Sequence, residues 1–113
     1  MKIRSMMIAL VLTSAAAAGR AAAQAPDGKA LYDENCKKCH GVLGKAPKTM
    51  QAKFPKIATF DAAFIAARSD DSVVKVLTKG KNEDMVSFKD KMKPAEMMAV
   101  AKYVRELGSK SKP

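Results

Sequence analysis

The run Cys36-Lys37-Lys38-Cys39-His40 constrains this chain more than any other feature, because it has the C-x-x-C-H pattern. Residues three positions apart lie on one face of a helical turn, so Cys36 and Cys39 can each form a thioether with one vinyl group of the same haem. His40 follows directly and can place an imidazole nitrogen on the iron. The motif therefore predicts one covalently attached haem c, held by Cys36, Cys39 and His40.

Three other uses of a cysteine pair fit the rest of the sequence less well. A zinc site usually has four protein ligands, whereas the chain has only two Cys and one His. A thioredoxin-like redox pair belongs to a pattern of alternating strands and helices, which this sequence lacks. A disulfide between Cys36 and Cys39 would close a very short loop and stabilise the fold little. We therefore favour haem attachment.

The first 23 residues have the pattern of a secretory signal peptide. Two basic residues precede an apolar stretch from 6 to 18, and small residues follow it. This stretch is shorter than the roughly 18 to 20 residues that span a bilayer, so we expect cleavage, after Ala23 or Ala25, rather than anchoring. Residues 1–23 are thus predicted to be a signal peptide and residues 24–113 one domain. We expect that domain to be periplasmic, without stable membrane insertion.

The exported domain is basic and small. Lys2, Arg4 and Arg20 lie in the signal segment and no acidic residue does, so removal of the segment lowers the formal charge from +10 to +7. Two ionised haem propionates would lower it to roughly +5. A domain of this size has a thin core, and the chain has no Trp and only six aromatic residues. A cofactor at the centre is expected to complete that core.

The first two predicted helices begin at recognisable caps. Asp27 can cap a helix that leads into the cysteine motif, with apolar residues at helical spacing along one side. A second helix is predicted from 60 to 68, with Thr59 as its cap.

The third and fourth predicted helices have clear ends. The third starts after Ser69 or Asp70 and stops at Gly80. The fourth has Pro94 in its first turn and Gly108 beyond its end. Its apolar stripe is Met97, Val100, Ala101, Val104 and Leu107. No strand pattern competes with these helices, so the sequence predicts an all-α fold.

The region from 41 to 57 is predicted to be a loop. Gly44, Pro47 and Pro55 interrupt it, and its lysines suit a solvated surface. A loop of this length in a small domain is usually functional. We expect it to wrap the His40 side of the haem.

Three segments of the chain resemble the class I (monohaem) cytochrome c family, in its small bacterial periplasmic form. Residues 27–35, which lead into the motif, are similar to the amino-terminal helix of that family. Residues 80–88 are similar to the loop that carries its axial methionine, and residues 94–107 to its carboxy-terminal helix. The resemblance implies the cytochrome c fold, with about four helices wrapped around one covalently bound haem. It also favours Gly28 as the crossing point of the first and last helices, against Tyr103, over an ordinary turn glycine.

The second axial position on the iron takes a soft or nitrogen donor, and His40 is the only His of the chain, so methionine is the remaining candidate. Five of the eight methionines lie beyond residue 23, namely Met50, Met85, Met92, Met97 and Met98. The two in the last helix fit packing positions, and the one in the loop after His40 belongs to the proximal side. Met85 lies in a polar loop that offers an apolar side chain no other burial, so we assign the axial position to Met85. Met92 is the first alternative, followed by the other methionines or an open position.

The resemblance raises two further expectations. The family usually has Pro directly after the ligand Met, whereas this chain has Val86, which should loosen the loop without removing the sulfur. In the family a proline in the loop after the motif supplies the carbonyl that orients the ligating imidazole, and Pro47 is our candidate for that role. The alternative is that Pro47 is an ordinary turn residue.

A His and Met pair binds both axial positions of the iron and suits electron transfer. We therefore predict a periplasmic electron-transfer protein, not an enzyme, whose iron cycles between Fe(II) and Fe(III). One alternative is a haem c subunit of a larger oxidoreductase. Another is a peroxidase-like or gas-binding protein with Met85 displaced. Such chemistry requires a general acid or base, and only Glu83 and Asp84 are near in sequence.

Lysines cluster near both proposed ligands in the sequence. We call six of them the haem-edge lysines: Lys37, Lys38, Lys79, Lys81, Lys89 and Lys91. A basic ring at the edge through which electrons leave would steer an acidic partner to that edge. We therefore expect redox proteins with acidic docking faces as partners and no nucleic acid. The protein is expected to be a monomer or a subunit of a redox complex.

Overall fold

A computed structural model describes residues 25–111, and every regular element in that range is an α-helix. The helices are α1 (Gly28–Asn35), α2 (Lys37–His40), α3 (Lys48–Lys53), α4 (Ala62–Ala67), α5 (Asp70–Lys79) and α6 (Pro94–Lys110). The all-α prediction is confirmed, and the four predicted helices correspond to α1, α4, α5 and α6. None of the described helices has the length and apolar character needed to cross a bilayer. The predicted signal peptide lies outside the described residues.

The first and last helices cross at Gly28. The Asp27 carboxylate caps α1, as predicted, by accepting a hydrogen bond from the Ala30 N–H at 3.1 Å. A Cβ atom on Gly28 would collide with the carbonyl oxygen of Ala99 and would stand 3.3 Å from the Tyr103 Cβ. The prediction for Gly28 is confirmed, because a residue with no side chain lets the two backbones approach this closely.

The long helix α6 packs against α1, α4 and α5 and so lies at the centre of the fold. All five residues of its predicted apolar stripe are buried. The predicted end of this helix is wrong, because α6 continues to Lys110 and Gly108 is buried within it. A Cβ atom on Gly108 would stand 2.9 Å from the carbonyl oxygen of Asp61, at the start of α4. This glycine therefore permits a close helix contact and does not end the helix.

Helix α4 begins later than predicted, and its cap is Asp61 instead of Thr59. The Asp61 carboxylate accepts a hydrogen bond from the Phe64 N–H at 2.8 Å. Phe60 stays outside the helix, and its N–H donates to the Gly44 carbonyl at 2.8 Å. A hydrogen bond to a distant part of the chain therefore holds the residue where the sequence predicted the helix to begin.

Helix α5 begins and ends where the sequence predicts. The Ser69 hydroxyl accepts a hydrogen bond from the Ser72 N–H at 3.2 Å. The helix ends at Gly80, whose φ of +72° lies in the region that favours glycine. The segment that carries Met85 therefore starts directly at the end of α5.

The predicted loop from 41 to 57 contains the short helix α3, so that prediction is wrong in its second half. Pro47 has a φ of −55°, and its carbonyl accepts hydrogen bonds from the N–H groups of Met50 and Gln51, each at 2.9 Å. The fixed φ of proline suits the residue from which a helix departs. Pro47 therefore starts a helix, although in the sequence it resembles an interruption.

Candidate functional site

The cysteine motif lies at the junction of α1 and α2. The Cys36 N–H donates to the Tyr32 carbonyl at 2.8 Å, and the His40 N–H donates to the Cys36 carbonyl at 2.9 Å. Cys36 and Cys39 therefore stand about one helical turn apart, as their spacing predicts. Cys36 is buried and Cys39 half-buried, and the two do not form a disulfide. Before haem attachment, burial raises the pKa of the Cys36 thiol to about 11, with a smaller contribution from the nearby Cys39, so the unattached thiol is protonated at neutral pH.

The His40 imidazole is oriented by a backbone carbonyl. Its Nδ1 lies 3.3 Å from the carbonyl oxygen of Ala58. In this arrangement Nδ1 carries the proton and donates it, which leaves the lone pair of Nε2 for a metal. Burial lowers the pKa of His40, and the hydrogen bond to Ala58 opposes that shift. The imidazole is therefore neutral at neutral pH, which is the form that binds a metal.

The expectation that Pro47 orients His40 is wrong. The Pro47 carbonyl is already used by the first N–H groups of α3, and the carbonyl beside the imidazole is that of Ala58. Ala58 precedes α4 in an irregular segment, 18 residues after His40. A backbone carbonyl is present at every residue, so no side-chain signal in the sequence could have identified this one.

Two aromatic residues that the sequence does not mark as site residues support the motif. The Phe60 ring stacks on the His40 imidazole, with 4.6 Å between ring centroids and 23° between planes. Tyr32 is fully buried, and its hydroxyl donates to the Gly41 carbonyl at 2.7 Å. Burial raises the pKa of Tyr32, so the hydroxyl keeps its proton. The small number of aromatic residues was the signal that could have identified Tyr32 and Phe60. A chain with six aromatic residues places them where packing matters most.

Met85 lies between α5 and α6, in the loop from 80 to 88. It is half-buried and packs against the hydrophobic core, while residues 81–84 before it are exposed. The end of the loop is tied to α5, since the Phe88 N–H donates to the Leu77 carbonyl at 2.7 Å. Met85 is therefore an apolar side chain brought to the core by an otherwise polar loop.

The other methionines of the domain have different surroundings. Met92 and Met97 are core residues, with 4% and 2% of their surface exposed. The Met97 sulfur also lies 3.3 Å from the Thr78 hydroxyl oxygen. Met50 lies in α3, and Met98 lies half-buried on α6. Core packing alone thus accounts for Met92 and Met97.

The donor chemistry of these residues fits haem c. Two thiols one turn apart can form two thioethers, and an imidazole nitrogen and a thioether sulfur are the usual axial donors of electron-transfer haems. The large apolar side chains that are exposed within residues 25–111 are Val42, Leu43 and Val86. They closely follow His40 and Met85 in the chain. Apolar surface suited to a porphyrin is therefore next to both proposed ligands.

Positive charge accompanies these apolar residues. All six haem-edge lysines are exposed. A surface groove of about 380 Å³ is lined both by Ala58, whose carbonyl orients His40, and by Lys81 of the Met85 loop. Its charged lining residues are Lys56, Asp61, Arg68 and Lys81. Three cations against one carboxylate give the groove a net positive charge, which suits carboxylates such as haem propionates.

The sequence matches proteins of known type over most of its length. Residues 23–104 match the family described as "Cytochrome C oxidase, cbb3-type, subunit III". The chain is 35% identical over 86 residues to cytochrome c6 of Anabaena variabilis, which covers 73% of this chain and 90% of that protein. It is 30% identical over 89 residues to the cbb3-type cytochrome c oxidase subunit CcoP of Azospirillum brasilense, which covers 77% of this chain but 30% of that protein. The chain thus spans less than a third of the length of that oxidase subunit.

A solved structure agrees with these matches. The KustC0563 c-type cytochrome superposes on this chain with a TM-score of 0.64 at 34% sequence identity. The superposition covers 72% of this chain and 96% of that structure. Nearly a whole c-type cytochrome is therefore matched by the helical part of this chain.

Proposed function

The chain belongs to the c-type cytochrome family described as cytochrome c oxidase, cbb3-type, subunit III, and from that membership we propose a periplasmic electron carrier whose haem iron is bound by His40 and Met85. The resemblance to class I cytochromes c is confirmed, and with it a covalently bound haem c and haem-based electron transfer. The observation that carries the proposal is the arrangement of the chain's only histidine. Its Nδ1 lies 3.3 Å from the Ala58 carbonyl oxygen, which makes the lone pair of Nε2 the donor for the iron.

The residues of the motif have separate tasks in this proposal. Cys36 and Cys39 would hold the haem through two thioethers, one to each vinyl group. His40 would bind the iron through Nε2, and its hydrogen bond to Ala58 fixes the plane of the ring. Phe60 packs against that ring and limits the access of water to it. When bound, haem supplies the one-electron chemistry of iron between Fe(II) and Fe(III).

Met85 is the proposed second axial ligand. A thioether sulfur favours the reduced iron and raises the reduction potential. Met85 is half-buried in a polar loop, whereas Met92 and Met97 are packed in the core. With both axial positions bound by side chains, small molecules have no open coordination position. This arrangement favours electron transfer over peroxidase-like or gas-binding chemistry.

Exposed positive charge supports redox partners with acidic docking faces. The haem-edge lysines are exposed on the motif and on both sides of Met85 in the chain. Long-range attraction between such a surface and an acidic partner increases the rate of productive encounters. We therefore propose that this protein exchanges electrons with acidic redox proteins.

A second arrangement of the same function is a fixed haem c subunit of a larger oxidoreductase. It is favoured by the similarity to CcoP and to the cbb3-type subunit FixP of Bradyrhizobium diazoefficiens, which is 27% identical over 84 residues. These residues make up 28% of FixP and 74% of this chain. Sedimentation of the haem-stained protein from native extracts tests this arrangement, because a free carrier stays near its monomer mass and a subunit sediments with its complex.

The Met85→Ala variant tests the axial assignment. We expect this variant to lose the weak red charge-transfer band of ferric methionine-ligated haem, to have a lower reduction potential, and to bind carbon monoxide when reduced. Met92→Ala is the matched control and should keep the band, although it should lower stability by about 2 to 5 kcal/mol as a core substitution. Loss of the band in Met92→Ala together with its retention in Met85→Ala would show that our assignment is wrong.

A further inference from the structure

The loop that carries Met85 is closed on itself by hydrogen bonds to the Met85 backbone. The Asn82 Oδ1 accepts hydrogen bonds from the Met85 N–H at 2.8 Å and from the Asp84 N–H at 3.0 Å. In the other direction, the Met85 carbonyl accepts from the Lys81 N–H at 2.8 Å and from the Asn82 N–H at 3.3 Å. Both polar backbone groups of Met85 are therefore bound within the loop, and the N–H is bound by a side chain.

Other contacts fix the two ends of the loop. At the start, Gly80 has a φ of +72°, and a Cβ atom there would stand 2.7 Å from the Ser87 nitrogen. At the end, the Ser87 hydroxyl donates to the Thr78 carbonyl at 2.6 Å. Among residues 81–85 as the structure describes them, Asn82 is the residue whose side chain bonds to the loop backbone.

The chemistry of Asn82 suits a restraint on the backbone and not a packing role. The side chain is exposed, so it contributes little to the core. An amide oxygen has two lone pairs and can accept two N–H groups at once, which holds a short turn in one shape. Because both N–H groups donate, the atom that faces them has to be the oxygen of the amide.

We propose that Asn82 is the positioning residue for Met85, and that it sets the fraction of molecules in which the Met85 sulfur is bound to the iron. The proposal rests on the proposed function, in which Met85 is the axial ligand. Val86, which follows Met85, has none of the φ restraint that a proline would impose at that position. The hydrogen bonds of Asn82 supply a restraint from the other side of Met85.

Loss of this restraint should be measurable as competition at the iron. A loop without the Asn82 bonds samples more conformations, so the sulfur is bound in a smaller fraction of molecules. An added ligand such as imidazole then competes with Met85 more successfully. Removal of two hydrogen bonds should tighten the apparent binding of imidazole by about tenfold.

The experiment compares Asn82→Ala, Asn82→Asp and Glu83→Ala as purified ferric holoproteins, with Met85→Ala as the reference. Asn82→Ala removes the acceptor oxygen, and Asn82→Asp keeps an acceptor oxygen at the same position. Glu83→Ala is the control that changes the exposed neighbour of Asn82. We expect a weaker red charge-transfer band and about tenfold tighter imidazole binding in Asn82→Ala. Asn82→Asp and Glu83→Ala should stay near the wild type in both measurements. Covalent haem content and helical circular dichroism should be the same in all variants.

The outcomes distinguish this inference from the proposed function. If Met85→Ala abolishes the band while Asn82→Ala keeps wild-type band intensity and imidazole affinity, Asn82 does not position the ligand. Equal loosening by Glu83→Ala and Asn82→Ala would also overturn the role of Asn82, since any change in the loop would then suffice. If Met85→Ala itself keeps the band, the axial assignment fails, and the inference fails with it.

Discussion

His40 and Met85 are proposed to bind the same iron, yet the chain holds them in different ways. His40 lies on a helical turn, and its ring contacts Ala58 and Phe60 from a segment far along the chain. Met85 lies in a loop, and its backbone is held by neighbours no more than four residues away. Non-local, buried contacts make a region depend on the whole fold, whereas local bonds can break alone. Changes on the His40 side should therefore affect assembly and stability, and changes on the Met85 side should affect ligation.

The largest expected effect on the His40 side is the loss of assembly in Cys39→Ala. This variant can form at most one thioether, so the haem is held less firmly and the core that it completes is lost. We expect little stable holoprotein, whereas the wild type should keep haem peroxidase stain on the polypeptide after denaturing electrophoresis. Met85→Ala is the matched comparison and should keep the stain, because it touches neither thioether. Absence of stain from the wild type would contradict covalent attachment.

The next largest effect is a difference in stability between substitutions on the His40 side and on the Met85 side. Phe60 is 8% exposed and contacts His40, Tyr32 and Phe64, so Phe60→Ala should lower the free energy of unfolding by about 3 to 5 kcal/mol. Asp84, beside Met85, is exposed, and Asp84→Ala should change the free energy of unfolding by no more than about 0.5 kcal/mol. Urea unfolding of the two ferric holoproteins measures both values. Equal losses would show that the two sides do not differ in their dependence on the fold.

The same difference explains which elements could be predicted from the sequence. The caps at Asp27 and Ser69 act within three residues, so local sequence was sufficient to place α1 and α5. Apolar periodicity was sufficient for the buried stripe of α6. The start of α4 was missed because a bond between Phe60 and Gly44 decides it, and such long-range bonds leave no local pattern.

In the candidate site, too, local features could be predicted from the sequence and long-range contacts could not. The motif chemistry pointed to Cys36, Cys39 and His40, because spacing and donor type are properties of the sequence itself. The Ala58 carbonyl could not be predicted, since backbone acceptors are identical along the chain. The role of Asn82 could have been predicted, because an Asn side chain often accepts hydrogen bonds from backbone N–H groups two or three residues later in the chain. It was overlooked because solvent exposure is the ordinary reason for an Asn in a polar loop.

The smallest expected effect concerns docking, where both sides of the site contribute lysines. Lys38 belongs to the motif and Lys81 to the Met85 loop, and both are exposed. Reversal of both to Glu should slow electron transfer with an acidic partner by roughly tenfold or more at low salt, because steering is electrostatic. The difference from the wild type should shrink as the Debye length falls from about 30 Å at 0.01 M salt to about 10 Å at 0.1 M. The optical spectrum should not change.

Reversal of Lys102 and Lys110, exposed on α6, is the control, because it makes the same change in net charge outside the haem-edge lysines. Stopped-flow rates that fall equally for both pairs would mean that net charge alone controls the encounter and that neither side of the site forms a docking face.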